Sequence, residues 1–133
     1  MKFTTNLRVR YSETDQMGVV YHGNYFAWFE VGRVELMRSL GFSYGELEAQ
    51  EGCVLPVVEA SCRYRRPARY DDLLELQTTV KALRGSIVIF SYALYRDGLL
   101  LADAETKHVA VDRNLQQRRL PERHHAALLQ VLG

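Results

Sequence analysis

Asp15 stands seven residues before His22, with Gly18 between them and Gly23 just after relaxing the backbone. A helical periodicity begins close behind them. A helix start presents unpaired N–H groups and positive partial charge, which suits a developing oxyanion. An acid placed just before such a start could face a carbonyl carbon whose oxygen sits on those amides. The same residues would equally serve as a turn-capping aspartate and an ordinary first-turn histidine, and spacing alone does not separate the two.

Cations form the second group. Residues 60–70 carry Arg63, Arg65, Arg66 and Arg69 with no acid among them, Arg84 occupies a turn, and Arg118 and Arg119 follow the last strand. Guanidinium groups grip phosphate through forked, charge-assisted hydrogen bonds, so such a set could clamp a phosphorylated ligand. It could also be a solvated edge that discourages strand-to-strand aggregation. Glu30 could act as a second acid, or pair with Arg33 three positions on. Glu13 would project near Asp15. His108 falls on a small-residue face and is expected buried and hydrogen-bonded, whereas His124 and His125 read as solvated helix residues. Cys53 and Cys62 form no CxxC pair or His–Cys cluster, so they are expected to be small buried hydrophobes, and no metal constellation is visible.

The elements that must position these groups follow from periodicity. Residues 3–11 alternate like a strand, with Phe3, Thr5, Leu7, Val9 and Tyr11 on one face. Residues 21–40 then keep helical spacing through Tyr25, Phe26, Phe29, Val34, Met37 and Leu40, and Gly41 ends them. Ser43 and Glu46 form a capping-box pattern opening a short helix that closes near Gly52. Strands are expected over residues 54–64, 73–83, 86–95 and 99–111, with a turn at Arg84-Gly85 and a hairpin at Asp97-Gly98. A last helix starts at Pro121-Glu122 and would dock Ala126, Leu128, Leu129 and Leu132. On the last strand, Ala102, Ala104, Thr106, His108 and Ala110 share one face, small enough for a helix to approach closely. One long helix against a five-stranded antiparallel sheet is an α+β layer architecture.

Length and composition bound the rest. The 133 residues carry seventeen Lys plus Arg against sixteen Asp plus Glu, a net charge of +1, and 47% of them are hydrophobic. That is one ordinary globular domain spanning 1–133, and it excludes disorder and a disulfide scaffold. A balance so near neutrality does not favour nucleic-acid binding. There is no apolar stretch of signal-peptide or membrane-spanning kind, so a soluble cytoplasmic protein without membrane insertion is expected.

The run Val9-Arg10-Tyr11-x-x-Thr14-Asp15-x-x-Gly18-x-Val20-Tyr21-His22-x-x-Tyr25, with Glu30 and Arg33 behind it and Ala68-Arg69-Tyr70-Asp71-Asp72 at a later strand boundary, resembles the 4-hydroxybenzoyl-CoA thioesterase family. These are hotdog-fold acyl-CoA thioesterases, including the Tol-Pal-associated enzymes of bacteria. The resemblance implies a long central helix wrapped by a five-stranded antiparallel sheet. It also implies hydrolysis of a small acyl- or aromatic-acyl-CoA without metal or redox cofactor, coenzyme A entering as part of the substrate. Asp15 would be the catalytic nucleophile or general base. His22 would supply a polarising backbone amide, its imidazole being auxiliary. Gly18, Tyr21, Arg66 and Arg84 are the expected substrate contacts, and a homodimer or homotetramer with sites between subunits is expected. Two other readings stand beside it: a hotdog acyl-thioester dehydratase or hydratase, and a non-catalytic acyl-CoA-binding protein.

Overall fold

The alternation of the first residues becomes strand β1 (Lys2–Arg8), with Phe3, Thr5 and Leu7 turned inward. The computed structural model describes all 133 residues. Helix α1 (Asn24–Ser39) and helix α2 (Tyr44–Glu51) follow, then strands β2 (Val57–Tyr64), β3 (Leu73–Arg84), β4 (Ile87–Arg96) and β5 (Leu99–Val109), and helix α3 (Glu122–Gln130). The five strands form one antiparallel sheet in the order β1-β3-β4-β5-β2. This is the α+β arrangement expected from periodicity. At the β4–β5 hairpin both Asp97 and Gly98 take positive φ, 51° and 78°, the backbone a tight two-residue turn requires.

The helix lies on the sheet because its apolar stripe has the right period. Tyr25, Trp28, Phe29, Gly32, Arg33, Leu36 and Met37 are its buried residues, at helical spacing. Phe29 stacks on Tyr92 of β4 with ring centroids 4.7 Å apart. At Gly32 the helix backbone comes close to β3, since a Cβ there would lie 2.5 Å from Thr78 Oγ1 and 2.7 Å from Leu76 Cδ2. The inward face of β5 (Ala102, Ala104, Thr106 and His108) is buried as expected, as is Ala110 just beyond the strand. The close approach, however, is made by a glycine of the helix over β3.

Several boundaries differ from the sequence expectation, each for a local reason. The first strand stops at Arg8, and Tyr11 enters a 3-10 turn (Tyr11–Glu13) because the Glu13 carboxylate accepts the Arg10 amide at 2.7 Å. Helix α1 begins at Asn24, not residue 21, because Val20 N–H is spent on the Ala68 carbonyl and Tyr21 N–H on the Glu13 carbonyl. Strand β2 begins at Val57; Pro56 has no N–H for the ladder, although Val54 and Val111 still exchange both backbone bonds at 3.0 Å. In α2 the Ser43 hydroxyl accepts the Glu46 amide, and Gly52 closes the helix at φ 61°. Helix α3 turns His124, Leu128 and Val131 inward and leaves Ala126, Leu129 and Leu132 exposed. His124 is therefore not solvated as expected. Its ring packs edge-on against Phe42 at 4.4 Å, which sets the phase of the helix. No helix is long and apolar enough to cross a membrane.

Candidate active site

The segment between β1 and α1 is held in shape by its own polar groups. Asp15 N–H donates to Val19 O at 2.9 Å and Gly18 N–H to Asp15 O at 3.0 Å, closing a tight turn. Gly18 has φ 80°, a conformation that suits glycine. The exposed Asp15 carboxylate accepts the Met17 amide at 2.8 Å through Oδ1. That contact is the turn cap that spacing allowed, and it leaves Oδ2 without a protein partner.

Beneath the turn lies a residue whose position the sequence did not reveal. Glu13 is 7% exposed, and its Oε2 accepts the indole N–H of Trp28 at 2.8 Å. With Oε1 on the Arg10 amide and the Arg10 guanidinium 3.6 Å away, the buried carboxylate is paired on both oxygens. Its backbone carbonyl accepts Tyr21 N–H and the Asn24 side-chain amide at 2.8–2.9 Å. Glu13 thus ties the Asp15 turn to the first turns of α1. It does not share a site with Asp15 as a neighbouring acid.

At the helix start, His22 O accepts Tyr25 N–H at 3.3 Å and the Tyr64 hydroxyl at 3.2 Å. The amides of His22 and Gly23 donate to no protein acceptor. They are free donors at the positive end of a sixteen-residue helix. Tyr64, at the end of β2, is the other residue missed by sequence reasoning; its only sequence signal is an aromatic interrupting the arginine run. Burial of its oxygen, with the Cys62 thiol second, pushes its pKa up to about 12, so the hydroxyl stays a donor.

Val19, Val20, His22, Tyr25, Tyr64, Arg65, Arg66 and Pro67 enclose a small open cleft of about 210 Å³. The structure therefore brings His22 and Arg66 together and puts Asp15 on the turn hydrogen-bonded to the cleft wall at Val19. Tyr21 is half-exposed, with its ring tilted over His22 at 4.5 Å and away from the lining. Arg65 is neutralised by Asp103 at 2.5 Å, while Arg63, Arg66 and Arg69 make no ion pair. Arg84 is not part of this cleft. It pairs with Ile87 at the opposite end of the sheet from Tyr64, because β2 and β5 run antiparallel and Val57 stands at His108 while Tyr64 stands at Ala102. The expected Glu30–Arg33 ion pair does not form: Arg33 turns inward to Tyr92, and Glu30 stays exposed.

A model of the thioesterase superfamily matches residues 17–102. The chain is 38% identical over 122 residues to the acyl-CoA thioester hydrolase YbgC of Escherichia coli, covering 90% of each protein. Its fold superposes on the DHNA-CoA thioesterase of Staphylococcus aureus with a TM-score of 0.93, at 30% identity, over 98% of this chain and 90% of that one. A 4-hydroxybenzoyl-CoA thioesterase crystallised with 4-hydroxybenzoyl-CoA superposes at 0.88 over 96% of this chain and 98% of that one; at 20% identity, the likeness shows the shared hotdog fold.

Proposed function

Because the chain belongs to the thioesterase superfamily, we propose that it hydrolyses acyl-CoA thioesters to a free acid and coenzyme A at the cleft between Asp15 and the start of α1. The observation that carries this reading is the pair of free amides at His22 and Gly23 beside the turn that presents Asp15. The thioester oxygen sits on those amides. Asp15 then either takes a proton from water as the water oxygen bonds to the carbonyl carbon, or attacks that carbon itself to form a mixed anhydride that water opens. In both courses the oxyanion is held at the helix start, the C–S bond breaks, and the thiolate leaves with the electron pair and is protonated by solvent. Such donors are worth most where they are already oriented before charge develops. These steps use protein groups and water alone.

The His22 imidazole lines the cleft and orients substrate, and Arg66 at the same cleft meets the coenzyme A phosphates. Arg84 reaches a site only across an interface. Strand β2 is one of the two edge strands of the sheet, the other being β1, and it is exposed on both faces along nearly its whole length, Tyr64 included at 45%. Two-fold antiparallel pairing of β2 with a second copy covers that edge. It carries the partner's Val57 end, and the Arg84 turn beyond it, toward the His22 cleft.

The test is thiol release from a panel of short-chain, long-chain and aromatic acyl-CoAs, with crotonyl-CoA included. Stoichiometric free thiol supports hydrolysis. Loss of the enoyl absorbance of crotonyl-CoA without thiol identifies a hydratase instead, and binding without turnover identifies an acyl-CoA-binding protein.

A further inference from the structure

Tyr64 meets the start of α1 through its hydroxyl, which donates to His22 O at 3.2 Å. That carbonyl belongs to the peptide that carries one of the two free amides. The His22 C=O and the Gly23 N–H are opposite ends of one planar trans peptide and point in opposite directions. Whatever holds the carbonyl therefore aims the amide. Gly23 lies in the right-handed helical region, at φ −64° and ψ −22°, so its N–H points out of the helix start, where no protein acceptor takes it.

The helix by itself closes this peptide less tightly than the one before it. The His22 amide shares its peptide with Tyr21 O, which accepts Asn24 N–H at 3.0 Å. His22 O accepts Tyr25 N–H at 3.3 Å, the longer of the two bonds. The Tyr64 hydroxyl is the second donor on that more weakly held carbonyl. A donor on the carbonyl also polarises the peptide and strengthens the N–H at its other end.

The phenol proton is committed to this bond. The Cys62 thiol is the other group hydrogen-bonded to the hydroxyl, but a thiol sulfur is a weak acceptor beside a backbone carbonyl. The ring is fixed independently of its oxygen. It stands edge-on to Tyr25, with centroids 4.9 Å apart at 90°. Directly after it, Arg65 N–H and Arg66 N–H both donate to Leu101 O, at 2.8 and 3.1 Å, which pins the end of β2.

We infer that Tyr64 is a positioning residue for thioester hydrolysis: its hydroxyl locks the His22–Gly23 peptide so that the Gly23 amide is aimed before the oxyanion forms. Tyr64 acts through the peptide and not on the reacting atoms. Donors already oriented when charge develops lower the barrier without reorganising. This role rests on the hydrolysis reading, since it concerns the same amides, and it adds to that reading the group that holds them.

Tyr64→Phe is the test, because it keeps the ring and removes only the hydroxyl. The first readout needs no substrate: the His22 carbonyl carbon-13 and Gly23 amide nitrogen-15 resonances in labelled protein. Both should move, while the Trp28 indole N–H, bonded to Glu13, should stay in place. The second is thiol release from the acyl-CoA that the parent turns over best. A neutral bond of 3.2 Å is a modest one, so kcat should fall about three- to tenfold with KM and the melting temperature near the parent's. Unmoved His22 and Gly23 resonances mean that the hydroxyl does not hold the peptide, and they overturn the inference. A raised KM with parental kcat makes Tyr64 a substrate contact and overturns it too. An active parent matched in kcat by its Phe variant overturns this role alone. A parent that releases no thiol from any acyl-CoA overturns the hydrolysis reading, and this role falls with it.

Discussion

The indole N–H of Trp28 donates to Glu13 Oε2 at 2.8 Å, joining two residues fifteen positions apart across the start of α1. Through this contact the turn that carries Asp15 inherits the rigidity of a helix packed on the sheet. Glu13 also receives the Arg10 amide, so both carboxylate oxygens face donors. Glu13→Gln places an amide N–H against one of those donors. The expected loss is about 1–3 kcal/mol of stability by urea denaturation, the cost of a buried donor left unsatisfied. Catalytic rate should fall with it, because the Asp15 turn loses its anchor. A parental melting temperature and a parental kcat together would show that the anchor carries nothing.

Asp15→Asn separates capping from catalysis. Asparagine Oδ1 still accepts the Met17 amide, so the melting temperature should barely move. An amide is neither a competent base nor a nucleophile, and kcat should fall about 100- to 10,000-fold. His22→Ala should cost less, since alanine keeps the backbone amide. Hydrolysis by the Asn variant within about threefold of the parent would reduce Asp15 to a turn residue.

Arg66→Ala should raise KM with little change in kcat, the pattern of losing binding shared by ground and transition states. Arg65→Ala should do less, because Arg65 already spends its charge on Asp103. Arg84→Ala should raise KM only if a second subunit brings Arg84 to the cleft. Steady-state kinetics on the three variants ranks them; an unchanged KM in Arg66→Ala contradicts the assignment.

Assembly is tested without chemistry. With β2 as a free and doubly exposed edge, sedimentation at micromolar concentration should give a mass about twice 15.3 kDa or a further multiple. A fully active species of 15.3 kDa contradicts the two-subunit site.

Burial holds His108 near a pKa of about 4, below its ordinary value of 6.5, with the nearby Arg33 charge adding to the fall and the Leu55 carbonyl opposing it. The unfolded chain therefore binds this proton more readily than the folded one. Stability should be at its plateau above about pH 6.5, fall as pH drops through the window to about 4, and lose on the order of 3 kcal/mol across it. His108→Gln removes the titrating group and should flatten that part of the curve, measured by urea denaturation at several pH values. An identical acid slope in the variant assigns the effect elsewhere.

The local code was enough for the elements. Alternation in residues 73–83 and 99–111, the Asp97-Gly98 pair and the helical spacing from Tyr25 to Met37 each act over a few residues, and each produced the expected strand, hairpin or helix. The Asp15 turn was legible too, because a short polar side chain and a glycine three residues on are enough to close it. What surrounds that turn was not. Glu13 reads as an acid projecting near Asp15 until α1 brings Trp28 over it, and Tyr64 reads as one aromatic among arginines until β2 ends beside His22. Helix α3 was read with Leu129 inward, but docking of His124 on Phe42 rotated it. Arg66 and Arg84 looked alike in the sequence, and antiparallel pairing put them at opposite ends of the sheet. Periodicity reports which face of an element is buried. The partner that each buried polar group meets is chosen by how elements distant in sequence pack, and only the tertiary structure decides that.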